Sequence, residues 1–284
     1  MSRTWVLVAS GPDRSGIVAR VSGFLAERDC NVVHSQQHGD PSTGTFFMRV
    51  VLQPPDLVVD VGELSSDFHK VREELSLSAR FFDLAHRPRV LVLGSREGHC
   101  LNDLLFRART NALKADIVGV VSNHRTLEQE VGWHGIPYHH LPIIDGDKAA
   151  QEGRIWDVVQ ETRADLVVLA RYMQILSDDL CTKLAGRCIN IHHSFLPGFK
   201  GARPYHQAFA RGVKLIGATA HYVTADLDEG PIIEQAVERV DHAQMPRDLA
   251  AVGRDTERSV LSRAVKWHLE HRVLLNGHRT VVFR

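Results

Sequence analysis

Thr4 to Ser10 (TWVLVAS) is a short apolar run with polar ends, as in a strand. Gly11-Pro12-Asp13-Arg14 breaks that run, and after Ser15 a new spacing begins. Ile17, Val18, Val21, Phe24 and Leu25 then share one face of a helix ending near Asp29. Two further strand-like runs, Cys30 to His38 and Thr43 to Val50, are joined by a turn at Gly39-Asp40-Pro41-Ser42. Leu64, Phe68, Val71 and Leu75 have helical spacing, and Arg80 to Leu84 can close the sheet. The order βαββαβ predicts a ferredoxin-like, split-βαβ domain with helices covering one sheet face.

Ala85-His86-Arg87-Pro88-Arg89 reads as a junction, because Pro88 disfavours helix at Arg87 and a new apolar strand starts at once. The expected division is a small domain over 1–85 and a larger one over 86–284. In the larger part, Val90 to Leu93, Ile117 to Val121 and Leu166 to Ala170 are nearly continuous apolar runs, as in parallel strands covered on both faces. They alternate with helical patterns that include Leu101, Leu104, Leu105 and Ala108 and continue at 126–133, 154–162 and 176–185. The predicted class is α/β, with a Rossmann-like, mostly parallel sheet whose reactive residues lie at the carboxyl ends of strands. Gly94-Ser95-Arg96-Glu97-Gly98 matches neither GxGxxG nor GxxxxGK[ST], so its glycines are read as turn formers.

Composition narrows the function classes. The 284 residues suffice for two cores. Lys+Arg and Asp+Glu both number 34, giving a formal net charge of 0, so no general attraction to nucleic acid is expected. No apolar run reaches a membrane-spanning length, and Met1 to Arg14 lacks the succession of a signal peptide, so a cytoplasmic location is expected. Cys30, Cys100, Cys181 and Cys188 form no CxxC or metal-finger spacing and are expected to be reduced and buried. The 17 histidines include Tyr138-His139-His140 and His192-His193 but no HExxH, and no metal is expected.

The chemistry concentrates late in the chain. Arg187 to His192 reads as a strand on which Asn190 and His192, two residues apart, point to the same side. A turn-rich stretch, His193-Ser194-Phe195-Leu196-Pro197-Gly198, follows, and Pro204-Tyr205-His206 opens another helix. His221 lies on the alternating strand Gly217 to Val223, Asp228 in the loop after it, and Pro231 to Val237 supplies a further strand. An amide, imidazoles and a carboxylate in these segments can converge on one carbonyl, which suits acyl chemistry. Ser194 lacks a GxSxG elbow, so a covalent serine mechanism is not expected.

Two resemblances follow from these residues. Ser10-Gly11-Pro12-Asp13-Arg14-Ser15-Gly16-Ile17 resembles the opening of an ACT domain. That likeness implies an amino-acid effector near Gly11, Asp13, Arg14 and Gly16, where backbone amides at a helix start can hold a carboxylate, and pairing into a homo-oligomer. Asn190-Ile191-His192, Ser194 to Pro197, Gly201 to Ala208, Gly217 to Val223, Leu227 to Ile233 and Ala170 to Leu176 together resemble the tetrahydrofolate-dependent formyltransferases. His99-Cys100-Leu101 and Gly201 to Ala208 are most similar to their deformylase branch, with water as the acceptor. The resemblance implies hydrolysis of 10-formyltetrahydrofolate to tetrahydrofolate and formate, feeding purine synthesis and balancing the one-carbon pool, with no tightly bound cofactor.

By that resemblance Asn190, His192 and Asp228 are the catalytic residues. Met173, Gln174, Ile175, Leu176, His221, Tyr222, Val223, Leu227 and Glu229 are implied around the folate, and His99, Tyr205 and His206 are candidates for a wall around the acceptor space. Transfer of the formyl group to a small amine, or folate sensing without turnover, remain alternatives at this point.

Overall fold

The structure is a computed structural model that describes residues 3–55, 60–197 and 204–284. It divides into two compact units, Met1–Arg87 with Glu270–Arg284, and Pro88–Leu269.

The first unit opens with β1 (Trp5–Pro12), α1 (Ile17–Ala26), β2 (Asn31–Asp40), β3 (Thr45–Gln53), α2 (Val61–Asp67), α3 (His69–Leu75) and β4 (Ser78–Asp83). Its strands form an antiparallel sheet in the order β2-β3-β1-β4. The alternation in β1 sends Trp5, Leu7 and Ala9 into the core made with Ile17, Val21, Phe24, Leu25, Leu64, Phe68 and Val71. The helix expected from Leu64 to Leu75 is two short ones. Phe68 stands at their joint, and His69 Nδ1 donates to Ser66 O at 3.1 Å, a side-chain bond that competes with regular helix. All four spaced residues are nevertheless buried.

The second unit runs through β5 (Arg89–Gly94), α4 (His99–Arg109), β6 (Asp116–Ser122), α5 (Glu128–Gly132), β7 (Tyr138–His140), α6 (Lys148–Glu161), β8 (Leu166–Ala170), α7 (Asp178–Lys183), β9 (Cys188–His192), α8 (Pro204–Ala210), β10 (Leu215–Tyr222), β11 (Ile232–Arg239) and α9 (Pro246–Leu269). The seven strands are ordered β11-β10-β9-β8-β5-β6-β7. Pairing is parallel from β7 through β9 and antiparallel for β10 and β11. The apolar strands β5 and β8 are buried along almost their whole length. Tyr138-His139-His140, notable in sequence as a histidine cluster, is an edge strand.

Helix α9 was not read from the sequence. Pro246 starts it, where a missing N–H loses nothing, and the Asp248 carboxylate accepts from Met245 N at 2.9 Å. Its inner face carries Leu249, Val260, Leu261, Ala264 and Val265, but also the buried Thr256, Glu257 and Ser262, which blur the apolar stripe. Beyond it, β12 (Val273–Asn276) and β13 (Arg279–Val282) form a hairpin around Gly277, at φ +61°.

The hairpin corrects the expected division. Residues 270–284 were grouped with the larger domain but fold with the first unit, and the boundary falls between Arg87 and Pro88. Leu274 and Phe283 pack with Phe47, on the sheet face away from the helices. The buried Arg49 guanidinium donates to Glu270 O and His271 O at 2.9 to 3.3 Å. Asp40 accepts from Asn276 at 2.6 Å and Arg279 at 2.9 Å.

Near the end of α9, Tyr222 O–H donates to Nδ1 of His268, and burial pushes that imidazole down to about 4 from an ordinary 6.5. An unfolded chain binds this proton readily while the folded one does not, so stability is full above pH 6.5 and falls on acidification towards pH 4. The full effect is about 3 kcal/mol. Urea denaturation from pH 7 to 4.5 should show this decline, and His268→Gln, which still accepts from Tyr222 but does not titrate, should flatten it.

Candidate active site

The site is built on the pairing of β9 with β10, which sets Asn190 opposite His221 and His192 opposite Thr219. Directly opposite residues of an antiparallel pair share a face, and so do residues two apart on one strand. All four side chains therefore emerge on the same side at the carboxyl end of β9. A register irregularity between Ala220 and His221 re-aims the end of β10. Next, Tyr222 points the other way, towards His268.

The loop after β10 returns Asp228 to this face. Asp228 has φ +58°, a conformation that a non-glycine residue holds only under constraint from its surroundings. Two residues on, a Cβ at Gly230 would overlap the Tyr222 carbonyl, so only glycine lets the loop close. Asp228 Oδ2 lies 3.2 Å from His192 Nδ1, and Oδ1 3.7 Å from His221 Nε2. The bond from His192 holds the Asp228 carboxyl well below the usual carboxylate range despite partial burial.

The tautomers follow from the partners. His221 Nδ1 donates to Tyr222 O at 2.8 Å, so Nε2 accepts from Asn190 Nδ2 at 3.2 Å. One amide N–H of Asn190 is thereby committed, and the other remains to face a ligand. In the neutral ring, His192 donates from Nδ1 to Asp228 and accepts at Nε2 from Ser194 O–H at 3.0 Å. Thr219 braces the following turn. Its hydroxyl donates to Ser194 O at 2.9 Å and accepts from Leu196 N at 3.1 Å and Gln235 Nε2 at 2.9 Å.

Beside the trio is a small cleft that opens to solvent. Gln174, Ile175, Leu176, Val223 and Leu227 line it with Asn190, His221 and Asp228, as do Thr224, Ala225 and Asp226 of the same loop; Leu169 and Cys181, which sequence reasoning missed, complete the wall. Three residues expected there are absent from the lining. The Tyr222 ring faces α9, the Met173 side chain is 60% exposed, and Glu229 follows Asp228 without entering the cleft wall. At the far end of the loop from β8, the buried Glu152 carboxylate accepts from Ser177 N at 2.9 Å and from its hydroxyl, fixing the segment that carries Gln174 to Leu176.

A second group centres on Glu257 of α9, whose side chain is only 1% exposed. It accepts from His99 Nε2 at 2.8 Å and Tyr205 O–H at 2.6 Å, and Arg171 Nε lies 3.4 Å away. These partners hold its carboxyl below the ordinary value although burial pulls the other way. His206, expected beside His99 and Tyr205, is instead exposed on α8. His193 lies between the two groups, stacked on His192 with ring centroids 5.2 Å apart and 6.4 Å from the Tyr205 ring. Burial, then the charge of Arg171, pushes His193 down to about 4, so this imidazole is neutral near pH 7.

His99, Cys100 and Glu257 also place three metal-ligand types within 4.8 Å of one another. Arg171 already supplies the positive charge beside this carboxylate, and burial drives the Cys100 thiol well above its ordinary value, both unfavourable to a cation. Cys30, Cys100, Cys181 and Cys188 are all free and buried. No helix among the described residues is long and apolar enough to cross a membrane.

Comparison with known proteins decides the family. Residues 88–265 match the formyl transferase model and residues 4–68 the ACT domain model. The chain is 48% identical over 282 residues to a formyltetrahydrofolate deformylase of Corynebacterium sp. (strain P-1), covering 98% of each. Among solved structures, the formyltetrahydrofolate deformylase of Burkholderia mallei superposes with a TM-score of 0.94 at 52% identity, covering 99% of this chain and 100% of that one. The Pseudomonas syringae enzyme of the same name gives 0.97 at 48%, covering 100% and 95%. The chain belongs to the formyltetrahydrofolate deformylase family.

In this deformylase-family chain, Gly11 and Gly16 have structural reasons to be glycine. A Cβ at Gly11 would press on Ser76 O, and Gly16 has φ +89° at the start of α1. Asp13 lies against Gly39, and Arg14 donates to Glu74 O, with both residues exposed. The part of the resemblance carried by 198–203 lies outside the described residues. Arg171 and Glu257 had no local signal in the sequence, since they meet only through the packing of α9.

Thr219 offers a direct test of the frame. Thr219→Val keeps the shape but leaves the buried Leu196 N and Gln235 amide without this acceptor. It should lower stability by ~1–3 kcal/mol in urea denaturation, and reduce turnover by loosening Ser194 against His192.

Proposed function

We propose that the chain hydrolyses 10-formyltetrahydrofolate to tetrahydrofolate and formate. The observation that carries the reading is the convergence of Asn190, His192 and Asp228 beside one cleft, with His192 Nδ1 3.2 Å from the carboxylate. The relatives bearing the deformylase name support the substrate and the direction. The slot between Leu176, Val223 and Leu227 suits a flat heteroaromatic ring, with loop backbone available to its edge.

In the proposed reaction, Asp228 orients a water molecule by its outer oxygen, and as the water attacks the formyl carbon one of its protons passes to Nε2 of the neutral His192, which becomes the imidazolium. Asn190 N–H and the His192 imidazolium donate to the oxygen of the tetrahedral intermediate, where charge develops. The C–N10 bond then breaks as His192 returns the proton to N10, and formic acid leaves and loses its proton to solvent as formate. Asp228 stays ionised near neutral pH and stabilises the imidazolium. His221 is assigned a positioning role, since it turns the Asn190 amide so that the free N–H meets the oxyanion. No step calls for a metal or a resident cofactor.

Removal of one oxyanion donor should raise the barrier by about 3–4 kcal/mol, or roughly 10²–10³ in kcat. Asn190→Ala should therefore lose this much with a modest change in KM, and His192→Ala at least as much. Asp228→Asn, which tolerates the same left-handed backbone, should fold normally yet lose turnover. Formate and tetrahydrofolate release in acceptor-free buffer reads all three. Near wild-type turnover in His192→Ala would contradict the assignment.

For the first unit, the proposal is an ACT-type regulatory module that binds a small amino acid near Gly11 to Gly16 and pairs with a second copy. Support for pairing comes from β2, an edge strand nearly all of whose residues are exposed, including Val32 at 40% and Val33 at 54%. Val33→Lys should shift the protein to a smaller species in sedimentation. A monomeric wild type would contradict the pairing, and equilibrium dialysis that detects no bound amino acid would remove the effector.

A further inference from the structure

Open α/β sheets take their ligands where neighbouring strands send their chains to opposite faces, outside the carboxyl ends. In this sheet that point lies between β5 and β8, because the chain proceeds from β5 outward to β6 and β7 and then returns to β8 and β9. The crevice is filled by the protein's own side chains. The loop after β5 leads to His99, the first residue of α4, and β8 ends at Ala170, directly before Arg171 at φ +62°. Both side chains meet the buried Glu257 carboxylate, and Tyr205 adds its hydroxyl from α8. Gly253, one turn before Glu257, has no side chain, and a Cβ there would overlap the Tyr205 phenol. Bare backbone thus lets the ring lie against α9.

This group borders the reacting centre, and none of His99, Arg171, Tyr205 and Glu257 lines the cleft beside the trio. From Asp228 the contacts run to His192, to the His193 ring stacked on it, and on to Tyr205. With folate placed, on the reading above, on the side lined by Leu176, Val223 and Leu227, the Tyr205 side is the approach to the formyl carbon left for an acceptor among the described residues. An amine would form a C–N bond to that carbon, the bond to N10 would break, and the amine proton would pass to N10, giving a formamide and tetrahydrofolate. Water follows the same path and gives formate.

We infer that Glu257, by gathering Arg171, His99 and Tyr205 into the crevice between β5 and β8, is the specificity-determining residue that excludes amine acceptors and leaves the reaction to water. Arg171 lies 3.4 Å from Glu257, so its charge is matched inside the crevice. The inference rests on the hydrolytic reading above.

The test is a partition measurement on the full chain with 10-formyltetrahydrofolate and saturating glycinamide as the amine probe. Formate, formylated glycinamide and tetrahydrofolate are quantified together. Wild type should give formate only. Tyr205→Ala, which vacates the ring's space, and Gly253→Ala, whose added methyl displaces the phenol with little change to α9, should raise the formamide-to-formate ratio by about ten-fold or more. Glu257→Gln should raise it in the same direction, whereas Tyr205→Phe, which keeps the ring, should stay with water. A merely structural role would alter rate or stability without moving this ratio. An unchanged ratio in the variants, complete loss of turnover in folded variants, or glycinamide formylation by wild type would overturn the inference. A wild-type chain that releases no formate at all would instead defeat the hydrolytic reading, and the inference with it.

Discussion

The bond between His192 and Asp228 is the constraint around which the larger unit is arranged. The two residues come from different segments, a parallel strand and a loop beyond the next antiparallel one, and several otherwise unfavourable local features allow them to meet. Asp228 takes a left-handed backbone, Gly230 gives up its side chain to the Tyr222 carbonyl, and β10 departs from regular register at His221. Each is unfavourable taken alone, and the loop is held by the His221 ring on the Tyr222 carbonyl, by Tyr222 N on Pro231 O and by His192 on Asp228. A site whose donors are fixed before substrate arrives has little reorganisation left to make in the transition state.

Two carboxylates in this unit have opposite circumstances. Asp228 is partly open to the cleft and kept ionised chiefly by one imidazole, which leaves an oxygen edge for water. Glu257 is closed off from solvent and is tolerated only because a guanidinium, an imidazole and a phenol all turn towards it. His193, kept neutral by its surroundings, separates the pairs. The contrast assigns chemistry to the exposed edge and shape to the buried one, within a sheet end that general α/β architecture would leave open to a larger ligand.

Local pattern carried the strands and the first helix well, because β1, β5 and β8 bury their apolar positions in the periodicity that the chain displays. The trio was legible for a related reason. Asn190 and His192 share a strand face by spacing alone, and the motif around Asp228 completed the resemblance. Helix α9 was obscured because Thr256, Glu257 and Ser262 interrupt its inner face, although Pro246 and Asp248 mark its start. The pairing of Arg171 with Glu257 spans 86 positions and has no local trace. The hairpin after α9 went unread, and nothing nearby in sequence reveals that Arg49 takes the Glu270 and His271 carbonyls as partners. Strand alternation turns the Tyr222 ring away from His221 and towards His268, which the sequence-level grouping of the loop did not anticipate.

The most direct measurement is a single turnover of 10-formyltetrahydrofolate in water enriched in oxygen-18, without any amine present, with formate analysed by mass spectrometry. Attack by the water held at Asp228 places one heavy oxygen in each formate and yields one tetrahydrofolate for each formate released. Unlabelled formate, or no tetrahydrofolate until an amine is added, would contradict a hydrolytic centre formed by Asn190, His192 and Asp228.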